Sequence, residues 1–238
     1  MTAPVMTWLP EGSVCAVVGA HGGIGAAFCE VVAGRHPGVR ILPLGRRTDL
    51  PLDLTDEASI AAAAAHCAAL GEVRLVFDAT GYLHDAQHQP EKSWRALSAD
   101  SLAKAFALNA IGPALLMKHF LPLLPRRGKA VFATLSARVG SIGDNQLGGW
   151  YGYRASKAAL NQLVRSAAIE LRRRHPDAVC AALHPGTVAT GLSAPFTKAG
   201  LDVQTPAEAA ARLLAVVDGL DEAHSGGFFD HHGKPVPW

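Results

Sequence analysis

The sequence predicts an α/β protein: a single domain built as a doubly wound parallel sheet with helices on both faces. Three observations carry that expectation. Short, almost wholly apolar runs alternate with longer helix-compatible runs, the pattern of strands buried on both faces and joined by helical crossovers. The 238 residues, 49% of them apolar, suffice for one sizeable core without requiring two. No repeat, low-complexity tract or linker interrupts the alternation.

Taken in order, "VCAVVG" (14–19) is the first buried strand, and residues 23–36 the helix after it, stopped by Pro37 and Gly38. "VRILPL" (39–44) is the second strand. Its helix, 55–70, starts at Thr55 as cap, with Asp56 and Glu57 in the first turn, where acids suit the helix dipole. A third strand covers 73–81, followed by a helix near 98–124. Within that helix Pro113 lacks the N–H that would bond the Asn109 carbonyl, which predicts a kink. A strand at 130–136, a helix through Tyr153 and a strand at 178–186 continue the pattern. Thr205-Pro206-Ala207-Glu208 is a capping box with proline at the first helical position, opening a last helix.

Composition excludes several function classes. Charged residues are 18% of the chain, below the average of about 25%, which predicts extensive burial and a surface shared with further copies in a homodimer or homotetramer. Net charge is +2, and no basic run exceeds Arg172 to Arg174, so no nucleic-acid partner is expected. Cys15, Cys29, Cys67 and Cys180 are scattered among apolar neighbours, which suits buried free thiols in a reducing cytoplasm. The start "MTAPVMTWLPEGS" has no signal-peptide pattern. The apolar stretch from Ser101 to Leu124 is broken by Lys104, Asn109, Pro113 and Lys118, so no membrane span is expected. The eleven histidines, His231 and His232 included, give no metal-ligand spacing.

Gly19, Gly23 and Gly25, with His21 and Ile24 between them, lie between the first strand and its helix. Glycine lets a backbone turn sharply and approach a pyrophosphate, whose charge a helix N-terminus stabilises. The expectation is a Rossmann-like nucleotide site; a turn that only aids packing is the alternative. At the end of the second strand, where an acid holds the ribose hydroxyls of NAD, the chain reads Leu44-Gly45-Arg46-Arg47. Two guanidiniums favour the 2′-phosphate of NADP(H) over NAD(H); the alternative is a solvated turn with Asp49 serving NAD. Further on, Tyr153 and Lys157 are four residues apart and share a helix face, whereas Tyr151 has Ala155 at that spacing.

With these motifs in order, the chain resembles the short-chain dehydrogenase/reductase family over nearly its whole length, and within it the C-factor and sniffer-type carbonyl reductase branch. The glycine motif matches at Gly19, Gly23 and Gly25 with Val18 replacing a threonine. YxxxK matches Tyr153 and Lys157, the helix asparagine Asn109, and the PG motif Pro185-Gly186. "DATG" (78–81), which includes Ala79 and Gly81, stands where NNAG is usual. The resemblance implies hydride transfer between NADP(H) and a carbonyl or alcohol, with Tyr153 as acid or base. Lys157, with the positive nicotinamide ring of the oxidised cofactor, would lower the tyrosine's pKa; it would also bind the nicotinamide ribose, and Asn109 would hold a relay water on its carbonyl. Asp53 and Leu54 would contact adenine. A nucleotide-binding signalling protein that kept the fold is the other function class.

The segment from His184 to Pro206 is long and rich in Gly, Pro and Thr, as lids at this end of such sheets are. Thr187, Val188 and Thr190 are expected at the nicotinamide carboxamide, and Leu192, Phe196, Trp150, Tyr151 and Leu147 as an apolar substrate wall. The family's carbonyl-polarising serine is the weak point. Aligned on Gly140, "LSARVGS" puts Ser136 on the first serine of the motif and Ala137 on the catalytic one. Ser136 is the assigned group because it ends the strand; Ser141, or no serine at all, are the alternatives.

Overall fold

The computed structural model describes residues 8–196 and 202–238. Eight strands are present among them: β1 (Val14–Val18), β2 (Arg40–Leu44), β3 (Val73–Asp78), β4 (Ala130–Leu135), β5 (Ala178–His184), β6 (Thr187–Val188), β7 (Val203–Gln204) and β8 (Phe228–Asp230). Six form a parallel sheet in the order β2-β1-β3-β4-β5-β8, and β6 pairs with β7 in a separate parallel ribbon. The order reverses at β1, from which the chain winds first toward one edge and then toward the other.

Six α-helices cover the sheet: α1 (Gly23–Arg35), α2 (Glu57–Leu70), α3 (Ala99–Phe106), α4 (Gly112–Phe120), α5 (Tyr151–Leu171) and α6 (Pro206–Gly219). Strand alternation distributes the core between two layers. Cys15 and Val17 of β1 meet Phe28 of α1 and Leu213 of α6, while Val14, Ala16 and Val18 meet Ile60, Phe120 and Leu160 on the other side. Phe28 stacks on Phe77 of β3 with ring centroids 3.7 Å apart.

Some local expectations need correction. The cap of α2 is Asp56, whose carboxylate accepts from the Ala58 N–H at 3.0 Å. Thr55 instead donates its N–H and hydroxyl to Asp53. The run near 98–124 is helical from Ala99 to Leu123, as expected, but it is not uniformly α-helical. Between α3 and α4 lies a π-helical turn, Ala107–Ile111, where the Gly112 N–H reaches back five residues to the Ala107 carbonyl. The ladder widens just before the proline that supplies no N–H. The expected capping box at Thr205 and Glu208 is present. β8 has three residues, too few to show a period.

Despite its polar interruptions, the helical run Ala99–Leu123 is long and apolar enough to cross a bilayer, with mean hydropathy 1.2; here Leu116 and Phe120 are buried in the sheet's core. All four cysteines are unpaired; three are buried and Cys29 is half-buried.

Candidate active site

A cleft of about 400 Å³ opens at the C-terminal ends of β1, β2 and β3, beside the reversal of strand order where such sheets bind ligands. Its floor is built from glycine. Gly19 has φ +79°, and a Cβ at Gly25 would collide with the Gly19 carbonyl. A Cβ at Gly23 would come within 2.9 Å of Thr190 Cγ2, so the loop and the segment after β6 meet with no room for a side chain. Gly22 is the N-cap of α1, with no side-chain cap and no acid in the first turn. The N–H groups of that helix end are left for an anionic ligand. His21 lines the cleft, and Ile24 packs against the α1–α6 core.

Arg46 and Arg47 are exposed on the cleft wall. Their loop is held by Thr48, whose hydroxyl donates to the Gly45 carbonyl at 2.7 Å. Asp49 is exposed and does not line the cleft. Asp53 accepts the Thr55 N–H and hydroxyl at 2.8 and 2.7 Å. Those bonds, with Arg46 nearby, hold its carboxyl below the usual range. Leu54 packs against Gly112, where a Cβ would lie 2.6 Å from Leu54 Cβ, so the start of α4 rests on the cleft wall. Ala79 and Gly81 also line it, and the Ala79 N–H donates to the Val18 carbonyl at 2.9 Å. Sequence reasoning missed Gly22, Thr80, Tyr82 and Leu108 as lining residues. Gly22 was legible as a further glycine of the loop. Leu108 had no signal, because the π turn brings it in.

Tyr153 and Lys157 lie on the inward face of α5, with the Lys157 Nζ 5.9 Å from the Tyr153 ring centroid. Lys157 is 2% exposed, and its Nζ donates to the Leu135 carbonyl at 2.8 Å. Burial lowers its pKa to about 8, with the buried Asp78 carboxylate pulling the other way. Asp78 is itself held by Thr80 and Thr134. Desolvation of the phenolate pushes the Tyr153 hydroxyl up to about 12; the expected lowering needs Lys157 together with the positive ring of an oxidised nicotinamide. Asn109 is fully buried. Its Oδ1 accepts from the Tyr82 N–H at 2.7 Å, and its Nδ2 donates to the Tyr82 carbonyl at 2.7 Å and to Ser156 Oγ at 3.1 Å. The side chain therefore locks the loop after β3.

Among the described residues no hydrogen bond joins Ser136 to Tyr153. The buried Ser136 hydroxyl donates to Asn161 Oδ1 at 2.7 Å, eight residues or roughly 12 Å along the helix beyond Tyr153. Ser141 is buried too, and its Oγ accepts the Asp144 N–H at 3.1 Å, closing a turn. Ala137, at the motif's catalytic position, offers no hydroxyl. Ser136→Ala is therefore expected to lower stability by about 1–3 kcal/mol, since Asn161 loses its partner. Turnover should change less than about tenfold, well short of the roughly 10²-fold loss of an oxyanion donor. Thermal melts with steady-state kinetics check this, and a hundredfold loss of turnover would return the polarising role to Ser136.

Of the expected substrate wall, Trp150 and Phe196 meet edge to face at 5.2 Å, and Trp150 lies 6.2 Å from the Tyr153 ring. His84 joins them, 5.2 Å from Phe196, with its Nε2 3.2 Å from the Leu192 carbonyl. Leu147 is 91% exposed and outside this wall. Tyr151 lines a different groove, with Val139 and Arg154. The Pro185 carbonyl accepts from Gln204 Nε2 at 3.1 Å, and Thr187 and Val188 form β6. The expected lid thus has a ribbon at its base; its residues 197–201 lie outside the described residues.

The glycine floor, open helix end and arginine wall fit a dinucleotide phosphate. Residues 26–219 match the family model described as enoyl-(acyl carrier protein) reductase. The chain is 31% identical over 235 residues to 1-hydroxy-2-glutathionyl-2-methyl-3-butene dehydrogenase of Rhodococcus sp. (strain AD45), covering 95% of this chain and 100% of that one. It is 42% identical over 139 residues to C-signal of Myxococcus xanthus, covering 58% and 78% of the two. Among solved structures, the NADPH-bound carbonyl reductase from chicken fatty liver superposes with TM-score 0.82 at 27% identity, covering 97% of this chain and 100% of that one.

Proposed function

Because the chain belongs to the short-chain dehydrogenase/reductase family, we propose that it reduces the carbonyl of a small, largely apolar aldehyde or ketone with NADPH. The observation that carries this reading is the pair of half-buried Tyr153 and buried Lys157 beside a glycine-floored cleft with two arginines on its wall. When bound, NADPH would supply the hydride that the carbonyl carbon takes up. Tyr153 gives its phenolic proton to the carbonyl oxygen, forming the alcohol. A hydroxyl that burial keeps protonated suits that direction. Lys157 holds the ribose and the tyrosine in register. Arg46, seconded by Arg47, takes the 2′-phosphate, while Gly19, Gly23 and Gly25 admit the pyrophosphate. Asp53 and Leu54 flank the adenine, with Ala79 and Gly81 along the nucleotide's path. Pro185, Thr187, Val188 and Thr190 would hold the carboxamide of a bound nicotinamide, with 184–206 as the substrate lid. NADPH consumption against a panel of carbonyls, with NADH in parallel, tests the reading; no consumption with any of them would overturn it.

The four unpaired cysteines support a cytoplasmic protein. Exposed Ile111 and Ile169, beside a groove between α4 and α5 lined by Met117, Leu121 and Leu163, support assembly into a homodimer or homotetramer.

For Asn109, the proposal is that its main-chain carbonyl, at the π turn ahead of Pro113, holds the water that relays protons to Lys157. Pro113→Ala restores an N–H to this helix. The variant is expected to fold at least as stably and to turn over more slowly. Unchanged turnover with a regular helix in its crystal structure would reduce Pro113 to packing.

A further inference from the structure

We propose that Glu91 is a positioning residue that sets which carbonyls the site accepts, by holding Trp150 in a strained turn beside Tyr153. The proposal rests on the reductase reading above. Glu91, in the loop between β3 and α3, is 5% exposed. Its Oε2 accepts from the Gly152 N–H at 3.1 Å, its Oε1 from the Ser101 hydroxyl at 3.4 Å, and its main-chain carbonyl from the Trp150 N–H. The helix α5 has no side-chain bond from its own N-cap, Trp150, and no acid in its first turn. A carboxylate from a distant loop therefore satisfies that end, where negative charge is favoured.

Trp150 has φ +51° and is the only non-glycine residue with positive φ among the described residues. A left-handed backbone is costly for a bulky side chain and persists only where surrounding bonds enforce it. Gly148 and Gly149 before it are left-handed too, with φ +62° and +64°. A Cβ at Gly152 would stand 3.0 Å from Glu91 Oε1, so the carboxylate lies directly against the helix backbone. The strained turn has one visible result: it aims the indole between Phe196 of the lid and the Tyr153 ring. Glycine would adopt this turn readily but would leave no wall. The indole is thus the reason to keep a strained residue, and Glu91 is what holds it.

The test measures kcat and KM for a bulky aryl ketone and a small aliphatic aldehyde, with NADPH affinity and thermal stability alongside, in Glu91→Gln, Glu91→Ala and Trp150→Gly. Glu91→Ala should raise KM for the aryl ketone roughly tenfold or more, as losing apolar pocket contacts does. KM for the aldehyde and affinity for NADPH should hardly move. Glu91→Gln keeps an acceptor for the Gly152 N–H and should restore most of the loss. In the Trp150→Gly background, Glu91→Ala should add nothing further to the aryl ketone's KM, since the group it positions is gone. Equal losses for both substrates, or full additivity with Trp150→Gly, would overturn the proposal. So would a drop in stability with unchanged KM, which would make Glu91 a helix cap only. If Glu91→Ala does not fold, Glu91→Gln alone and in the Trp150→Gly background decides on the same ratio. A wild-type protein that reduces no carbonyl would instead overturn the functional reading.

Discussion

Tyr153→Phe is expected to lower turnover by roughly 10²–10⁴ while leaving NADPH affinity nearly unchanged. The substitution removes only the hydroxyl, and the ring that meets Trp150 stays in place. Tyr151→Phe should do far less, because Tyr151 lines a groove to which Lys157 does not contribute and has Ala155 at the four-residue spacing. Equal losses in the two variants would displace Tyr153 as the acid. The same geometry predicts a pH profile. Tyr153, pushed up to about 12, stays protonated across the working range, whereas Lys157, lowered to about 8 by burial, does not. Reduction needs both protonated, so kcat/KM, which reports the free enzyme, should fall as pH rises through Lys157's value. Below it the limb is flat. In Lys157→Met the limb should vanish along with most of the rate. A limb that survived in that variant would belong to another group.

Arg46→Ala is expected to weaken NADPH by roughly 10- to 150-fold and hardly touch NADH, since hydrogen bonds to a charged group contribute about 1.5–3 kcal/mol. Arg46 is exposed on the cleft wall and Asp49 stays outside the cleft; Asp53, the carboxylate that does line the cleft, is bonded to Thr55. The exposure of Arg46 also makes the contrast between cofactors shrink as salt rises. Arg47→Ala should show a smaller effect of the same sign. Equal losses for both cofactors, or a wild-type preference for NADH, would sink the 2′-phosphate reading. Titrating each cofactor by its fluorescence at two ionic strengths separates these outcomes.

Features that depend on neighbours in the chain were legible without coordinates. Near-continuous apolar runs marked β1 to β5. The glycines after β1 marked the sharp turn into α1, and the four-residue spacing of Tyr153 and Lys157 placed them on one face of α5. Each is a property of a single strand, turn or helix, where periodicity and φ preference act locally. What tertiary structure decided lies where distant segments meet. The strand end after β4 could offer Ser136 to the site or to the core, and Asn161, 25 positions away, takes the Ser136 hydroxyl. Spacing placed Lys157 beside Tyr153, whereas the desolvation that pushes the phenol up depends on the whole fold. Leu147 and Trp150 are both apolar residues of one loop, but only the second turns inward, because the Glu91 carbonyl and carboxylate hold its turn. A sequence specifies the hydrogen-bonding groups it carries; which of two equivalent groups is satisfied in the interior depends on the partner that packing brings within reach.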